Sequence, residues 1–341
     1  MNGIIQISVH TRRVAYELEL RHNITVIQGD SGSGKSVLCD LVSRKSNRQG
    51  SAIALTVTNN YACRHLTNEM CEDGALSRIK NSIVFLDEDC DFIYSNDFAQ
   101  QILGSSNYFV LITRHIKRLS KLSIHVNALC KLVYLDGINH LEIEHHLAED
   151  KTYLCGDIFA PDEIVTEDSN SGYKFFKLIA GDKCRAAKGR SKFVSKASEL
   201  FNPKQKYLII ADGGAFGGDI NQVIYTVTRL NLPGFAFYLP DSFEEVLLHS
   251  LIFKNKSEII SRLQEPWNYI DYSKCISFEQ FYTDLLISSA SAMDFAYSKT
   301  GPLSNRFTTE ANQKHIISQI QHVDFRQLSL PHNALKTSIF K

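Results

Sequence analysis

The sequence has no net charge to speak of. Lys+Arg and Asp+Glu stand at 37 each in 341 residues. No global field therefore draws the chain to DNA or a membrane, and any nucleic-acid contact has to come from a local patch. Paired cysteines are missing too. The eight (Cys39, Cys63, Cys71, Cys90, Cys130, Cys155, Cys184 and Cys275) are scattered, with no CxxC pair and no zinc spacing. That argues against a disulfide framework and for a reducing compartment. No apolar run approaches the roughly 18 residues of a membrane span. The start, MNGIIQISVHTRR, carries no apolar signal region, so the expectation is a cytoplasmic protein without a membrane partner. Internal repeats and low-complexity tracts are absent. What remains is an ordinary globular composition, 44% hydrophobic and 22% charged, in a chain long enough for two domains.

Hydrophobic patterning predicts an α/β protein. Ile4–Val9 and Val14–Leu20 alternate and read as a hairpin. Ile24–Ile27 is a buried strand, and the apolar spacing of Val37, Leu38, Leu41 and Val42 predicts a helix after it. Ile53–Val57, Ile83–Leu86 and Tyr108–Ile112 are further strands, the last two continuous apolar runs of the kind found in parallel sheets covered on both faces. A polar segment containing Pro161 places a boundary near 155. The alternation then resumes with strands at Ile164–Thr166, Tyr207–Ala211 and Phe235–Tyr238, and helices near Tyr173–Ile179, Phe193–Leu200, Ile220–Leu230 and Phe243–Phe253. From about Ser277 the pattern is mostly helical. The expected domains are 1–150, 160–265 and a helical extension over 266–341.

The stretch Gly29-Asp30-Ser31-Gly32-Ser33-Gly34-Lys35-Ser36 satisfies G-x-x-x-x-G-K-[ST], with a predicted strand before it and a helix, opening at Val37, after it. Glycines let backbone N–H groups close around phosphate oxygens. Lys35 brings a point charge to the outer phosphates, and Ser36 offers a hydroxyl to magnesium. The expected ligands are ATP and Mg²⁺. Downstream, IVFLDED is an apolar strand ending in Asp87, a candidate magnesium ligand, and Glu88, a candidate base for the attacking water. Asp89 and Asp91 crowd the same turn. In YFVLITRH, Thr113 closes a buried strand as a polar sensor would, and Arg114 is placed to stabilise transition-state charge, in cis or across a dimer.

On GDSGSGKS and FLDED, residues 1–145 resemble the additional-strand P-loop ATPases, the group that holds ABC-type and AAA-type domains. The chain departs from the ABC pattern. Only about 46 residues separate the two motifs, and Ala75-Leu76-Ser77-Arg78 lies where a glycine-bearing LSGGQ-like signature belongs. The resemblance implies nucleotide-dependent dimerisation or assembly with a partner protein.

The second half carries acids at predicted strand ends: Glu167-Asp168 after IVT, Asp212 after YLIIA, and Glu244-Glu245 after FAFYLPDSF. Open parallel sheets bind ligands at the carboxyl ends of their strands, and acids from separate strands can share Mg²⁺ for phosphodiester chemistry. The alternative is plain helix capping. With IVTED, AAKGRSKF and IIADGG in this order, residues 160–255 resemble a Toprim domain. The ATPase–Toprim pairing is similar to the OLD family and related phage-defence proteins, which implies Glu167 and Asp212 as metal ligands. Gly214 departs from the D-x-D pattern and leaves Asp212 alone unless Asp219 or Asp241 joins it.

The segment 183–196 carries Lys183, Arg185, Lys188, Arg190, Lys192 and Lys196, a candidate phosphate-contacting patch or else a solvated helix face. His140, His145 and His146 lack the spacing of a helical metal site, DGGAFGGD lacks a following lysine, and Trp267 reads as a packing anchor. The expectation is an ATPase whose nucleotide state controls a Toprim-like nucleic-acid effector in antiphage defence. The alternative is an ATP-dependent regulatory or scaffold protein whose second domain binds without cutting.

Overall fold

The computed structural model describes residues 3–29, 32–49, 51–153, 158–299 and 301–328, which leaves Asp30 and Ser31 of the predicted loop outside the described residues. The chain forms two compact units: Met1–His145 with Glu265–Ser277, and His146–Gln264 with Phe278–Lys341. Helices past residue 277 thus count with the second unit.

Unit 1 is built on one nine-stranded sheet. Its strands are β1 (Ile5–His10), β2 (Ala15–Leu20), β3 (Ile24–Gln28), β4 (Ala54–Val57), β5 (Ala62–His65), β6 (Ser82–Leu86), β7 (Tyr108–Ile112), β8 (Leu129–Leu135) and β9 (Ile138–Ile143), in the spatial order β4-β1-β2-β9-β8-β3-β7-β6-β5. From β8 to β5 all neighbours run parallel. The apolar runs β6 and β7 are buried at every position, as expected for strands covered on both faces. β1 and β2 form the expected hairpin, with Ile5 opposite Leu20 and Val9 opposite Tyr16. Helix α1 (Lys35–Ser46) buries Leu38, Leu41 and Val42 on one face and ends in Arg44 and Lys45, cations that complement its C-terminal dipole. Short helices α2 (Asn68–Glu72), α3 (Ala75–Arg78) and α4 (Asn96–Ile102) fill the crossovers.

The strand order decides what can meet. β7 lies between β3, which feeds the glycine loop, and β6, which ends at Leu86, one residue before Asp87. His65, at the end of the edge strand β5, pairs with Phe85. Side chains alternate along a strand, so this register sets His65 beside Asp87, two residues past Phe85.

Unit 2 carries a five-stranded sheet of β10 (Thr152–Tyr153), β11 (Glu163–Thr166), β12 (Cys184–Ala186), β13 (Lys206–Ile210) and β14 (Gly234–Tyr238), ordered β10-β14-β13-β11-β12. All pairs are parallel except β10 with β14. The chain leaves β11 for β12 on one side and returns to β13 on the other, so the topological switch point lies between β11 and β13. The helices are α5 (Ser171–Ala180), α6 (Lys192–Ser195), α7 (Ala197–Leu200), α8 (Gly217–Arg229), α9 (Phe243–Leu248), α10 (Ser257–Gln264), α11 (Phe278–Ser291) and α12 (Glu310–Ser318). The helix expected over Phe193–Leu200 is broken between α6 and α7 at Lys196, whose φ −120° and ψ 23° are not helical. One core unites early and late sequence. Phe175, Phe176 and Ile179 of α5 pack with Leu208, Ala236 and Tyr238 of the sheet and with Ile316 and Ile317 of α12. Each buried Leu, Ile or Phe among them contributes about 2 kcal/mol. Helix α12 therefore belongs to the unit 2 core. Among the described residues, no helix is long and apolar enough to cross a membrane.

Candidate nucleotide and metal sites

In unit 1 the residue that opens α1 is Gly34, left-handed at φ 87°. Tyr16 donates from its hydroxyl to the Gly34 carbonyl at 2.9 Å, and a Cβ at Gly34 would lie 3.0 Å from that hydroxyl oxygen. Backbone sign and close approach both require glycine here. Lys35 is 5% exposed. Its Nζ donates to the Gly29 carbonyl at 2.7 Å and the Ser33 hydroxyl at 2.8 Å, so the ammonium sits inside the cradle formed by its own loop. Ser36 and Val37 are exposed at the mouth of the helix.

Across β7, Asp87 is partly buried. Its Oδ2 lies 3.2 Å from Nε2 of His65, and its Oδ1 accepts from the backbone N–H of Asp89 at 3.2 Å. The His65 hydrogen bond, aided by that backbone N–H, holds the carboxyl below its ordinary range despite burial. Glu88 forms an ion pair with Arg114 at 3.0 Å. Thr113 is fully buried. Its hydroxyl sits 2.6 Å from that of Tyr94 and accepts from the N–H of His115 at 2.8 Å. Asp91 is drawn to Arg118 at 3.1 Å. Asp87, Glu88, Thr113 and Arg114 thus share the carboxyl edge of the sheet with the loop.

Cys39 joins this group, one turn along α1 from Lys35. Among the described residues, Cys39, His65 and Asp87 are the one set of three His, Cys, Asp or Glu whose ligand atoms all lie within 4.8 Å of one another. Burial, with the nearby Asp87 carboxylate, pushes the Cys39 thiol well up.

In unit 2, Glu167 and Asp212 follow the paired ends of β11 and β13, where Thr166 faces Ile210. Glu167 Oε2 accepts from the Asp212 N–H at 3.3 Å. Both line a cavity of about 220 Å³ with Asp168, Glu244, Glu279 and Lys299. Burial pushes the Glu167 carboxyl up to about 7, although Arg190 opposes the shift. Burial, then the neighbouring carboxylates led by Glu167, drives Asp212 well above its ordinary range. Glu244 is 2% exposed and accepts from the Tyr297 hydroxyl at 2.8 Å. Glu279 pairs with Lys299. No three of these acids' oxygens lie within 4.8 Å of one another, so the cavity gathers the acids without closing them onto a point. Asp168 has a different role: it accepts from the N–H groups of Asn170, Gly172 and Tyr173 at 3.1, 3.1 and 2.9 Å, capping α5.

No protein-family model, curated protein or solved structure matches the chain.

Gly214 is more than a missing acid. A Cβ there would fall 2.5 Å from the Asp241 carbonyl oxygen and 3.0 Å from Phe278 Cβ. The return loop from β14 fills the space a side chain would need. Neither substitute acid reaches the cavity. Asp241 is held by Lys151 at 2.8 Å and Tyr282 at 3.2 Å, and Asp219 is drawn to Arg190 at 3.7 Å. Glu244 and Glu279 bring the additional carboxylates instead. The order of Glu244 after a strand is visible in the sequence. The arrival of Glu279 and Lys299, carried in by α11 and the segment after it, has no local signal.

The segment 183–196 is partly consumed by its own fold. Arg185 bonds Glu163 and the Glu199 carbonyl at 2.6 and 3.1 Å, Arg190 reaches the Ala215 carbonyl, and Lys183 donates to the Gln327 carbonyl at 2.5 Å. Lys188 and Lys196 are exposed.

Proposed function

We propose that unit 1 binds and hydrolyses ATP, and that its nucleotide state controls a metal-dependent phosphodiester site in unit 2 acting on nucleic acid in antiviral defence. The observation that carries this reading is the convergence of Glu167, Asp212, Glu244 and Glu279 on one cavity at the switch point of the unit 2 sheet. Glu167 and Asp212, whose burial raises their affinity for protons, are carboxylates whose charge a divalent cation relieves. An open carboxylate set also suits Mg²⁺, which keeps several waters and takes few protein ligands. A bound cation there would supply charge stabilisation to attacking and leaving oxygens. Glu167 and Asp212 would hold it from the strand ends, with Glu244 and Glu279 lining the same cavity. Lys299 sits at the rim for the scissile phosphate, and Lys188 and Lys196 meet the flanking backbone.

For unit 1 the support is the glycine cradle around Lys35 and the position of β7 between the loop strand and the Asp87 strand. Lys35 and Ser36 hold phosphate and magnesium from α1, and Asp87 holds magnesium from β6. The metal, when bound, neutralises charge between the outer phosphates. Lys35 Nζ exchanges its loop acceptors for phosphate oxygens. Glu88 orients and deprotonates water once Arg114 turns from it to the transferring group. Dimerisation, or docking of a partner protein, brings the two arrangements of Arg114 under control.

The closed space at Gly214 favours a second reading, a unit 2 that binds nucleic acid without cutting. One experiment separates the two. Given ATP, Mg²⁺ or Mn²⁺, and plasmid or tRNA, the purified protein is expected to cleave. Asp212→Asn lowers cleavage at least about 100-fold, the loss expected when several kcal/mol of metal-assisted stabilisation goes, and ATP turnover stays. Lys35→Ala abolishes turnover. Cleavage that persists in Asp212→Asn rejects the unit 2 site, and turnover that persists in Lys35→Ala rejects unit 1.

A further inference from the structure

The proposed chemistry uses Asp87 and leaves its two neighbours unexplained. Magnesium takes oxygen ligands, yet the side chains that share a metal-sized space with this carboxylate offer an imidazole nitrogen and a sulfur. His65 Nε2 stands 3.2 Å from Asp87 Oδ2, and Cys39 Sγ completes a triangle no wider than 4.8 Å. Sulfur, nitrogen and oxygen donors together suit a borderline-soft ion. With Zn–N and Zn–O bonds near 2.0–2.2 Å, a tetrahedral edge between imidazole and carboxylate spans about 3.4 Å, and one between thiolate and imidazole about 3.6 Å. The observed His65–Asp87 separation already matches the first edge. The second, from a separation of at most 4.8 Å, needs a shift of no more than about 1.2 Å, within reach of the Cys39 and His65 side-chain torsions. Three elements fix the set: α1 for Cys39, the end of β5 for His65, and the end of β6 for Asp87. Cys39 is 3% exposed, so the site is walled on the sulfur side, and the partly open Asp87 side leaves a fourth position for water.

We propose that Cys39, His65 and Asp87 form a binding site for a transition-metal ion of the Zn²⁺ class. The metal–sulfur bond forms as the thiol proton leaves to solvent. Occupation takes Asp87 out of reach of the nucleotide's magnesium, so the ion acts as an inhibitor of unit 1. This regulatory half rests on the ATPase reading, whereas the metal site does not.

The test is a titration of the full chain with Co²⁺ without nucleotide, followed by the thiolate-to-cobalt charge-transfer absorption and by competition with Zn²⁺. The expected result is a band whose intensity corresponds to one thiolate-bound cobalt per chain, apart from any ion taken up by the unit 2 acids. Cys39→Ser abolishes the band, His65→Gln weakens binding at least about tenfold, and Cys71→Ser leaves both unchanged. Circular dichroism of each variant separates a lost ligand from a lost fold. Absence of the band in the folded wild type, or its survival in Cys39→Ser, overturns the site. One equivalent of Zn²⁺ is further expected to suppress ATP turnover in the wild type and to spare it in Cys39→Ser. Turnover indifferent to bound Zn²⁺ overturns the inhibition. A chain that binds cobalt but never turns over ATP refutes the ATPase reading and keeps the metal site.

Discussion

Glu167 concentrates the chemistry of unit 2 in one residue. It leaves β11 at the switch point, accepts the Asp212 N–H at 3.3 Å and titrates near 7 where an ordinary glutamate titrates at 4.5. Because its pKa is raised by folding, the native state binds the proton more tightly than the unfolded chain. Its stabilising contribution is fully present below about 4.5 and is lost as pH rises through about 7. Metal-free protein in urea unfolding should therefore weaken across that window. Glu167→Gln should match the wild type near pH 4 and exceed it at pH 8 by on the order of 3 kcal/mol. Equal stability of the two at pH 8 contradicts the burial argument. Lys35, Asp87 and Glu167 were legible in the sequence because each follows an apolar run at a fixed offset. His65 and Cys39 were not. A histidine closing a four-residue strand and a cysteine on a buried helix face look like core residues until the register sets them side by side.

Among the elements, the fully buried runs β6 and β7 and the amphipathic α5 announced themselves by composition and period. β5 (ACRH) and β12 (CRA) did not. They are short edge strands of mixed polarity, formed because a neighbouring parallel strand offers them hydrogen bonds rather than through intrinsic propensity. The turn after β13 shows the same limit. In the sequence Gly214 looks like an acid lost from a pair, whereas in the fold it is where two backbones touch. Gly214→Ala should cost roughly 2–3 kcal/mol in thermal unfolding, since the nearest atom to its Cβ is a carbonyl oxygen that moves only with the β14 loop. A loss below about 0.5 kcal/mol would mean that the loop yields.

At the scale of the molecule, each unit repeats one plan: a run of parallel strands, within a sheet that also carries antiparallel pairs, with polar groups at the carboxyl edge of that run. That plan was readable because alternating strand and helix periods leave few other solutions. The union of the final helices with the unit 2 core was not, since the contact between α5 and α12 joins residues more than a hundred positions apart. The effector role of unit 2 requires its acids to share a divalent cation. Electron paramagnetic resonance of Mn²⁺ added to the nucleotide-free full chain measures this directly. A bound ion is predicted whose affinity falls at least about tenfold when Glu167→Gln and Asp212→Asn are combined, with Asp87→Asn included in both proteins to silence unit 1. Manganese binding unchanged by that pair of substitutions would contradict it.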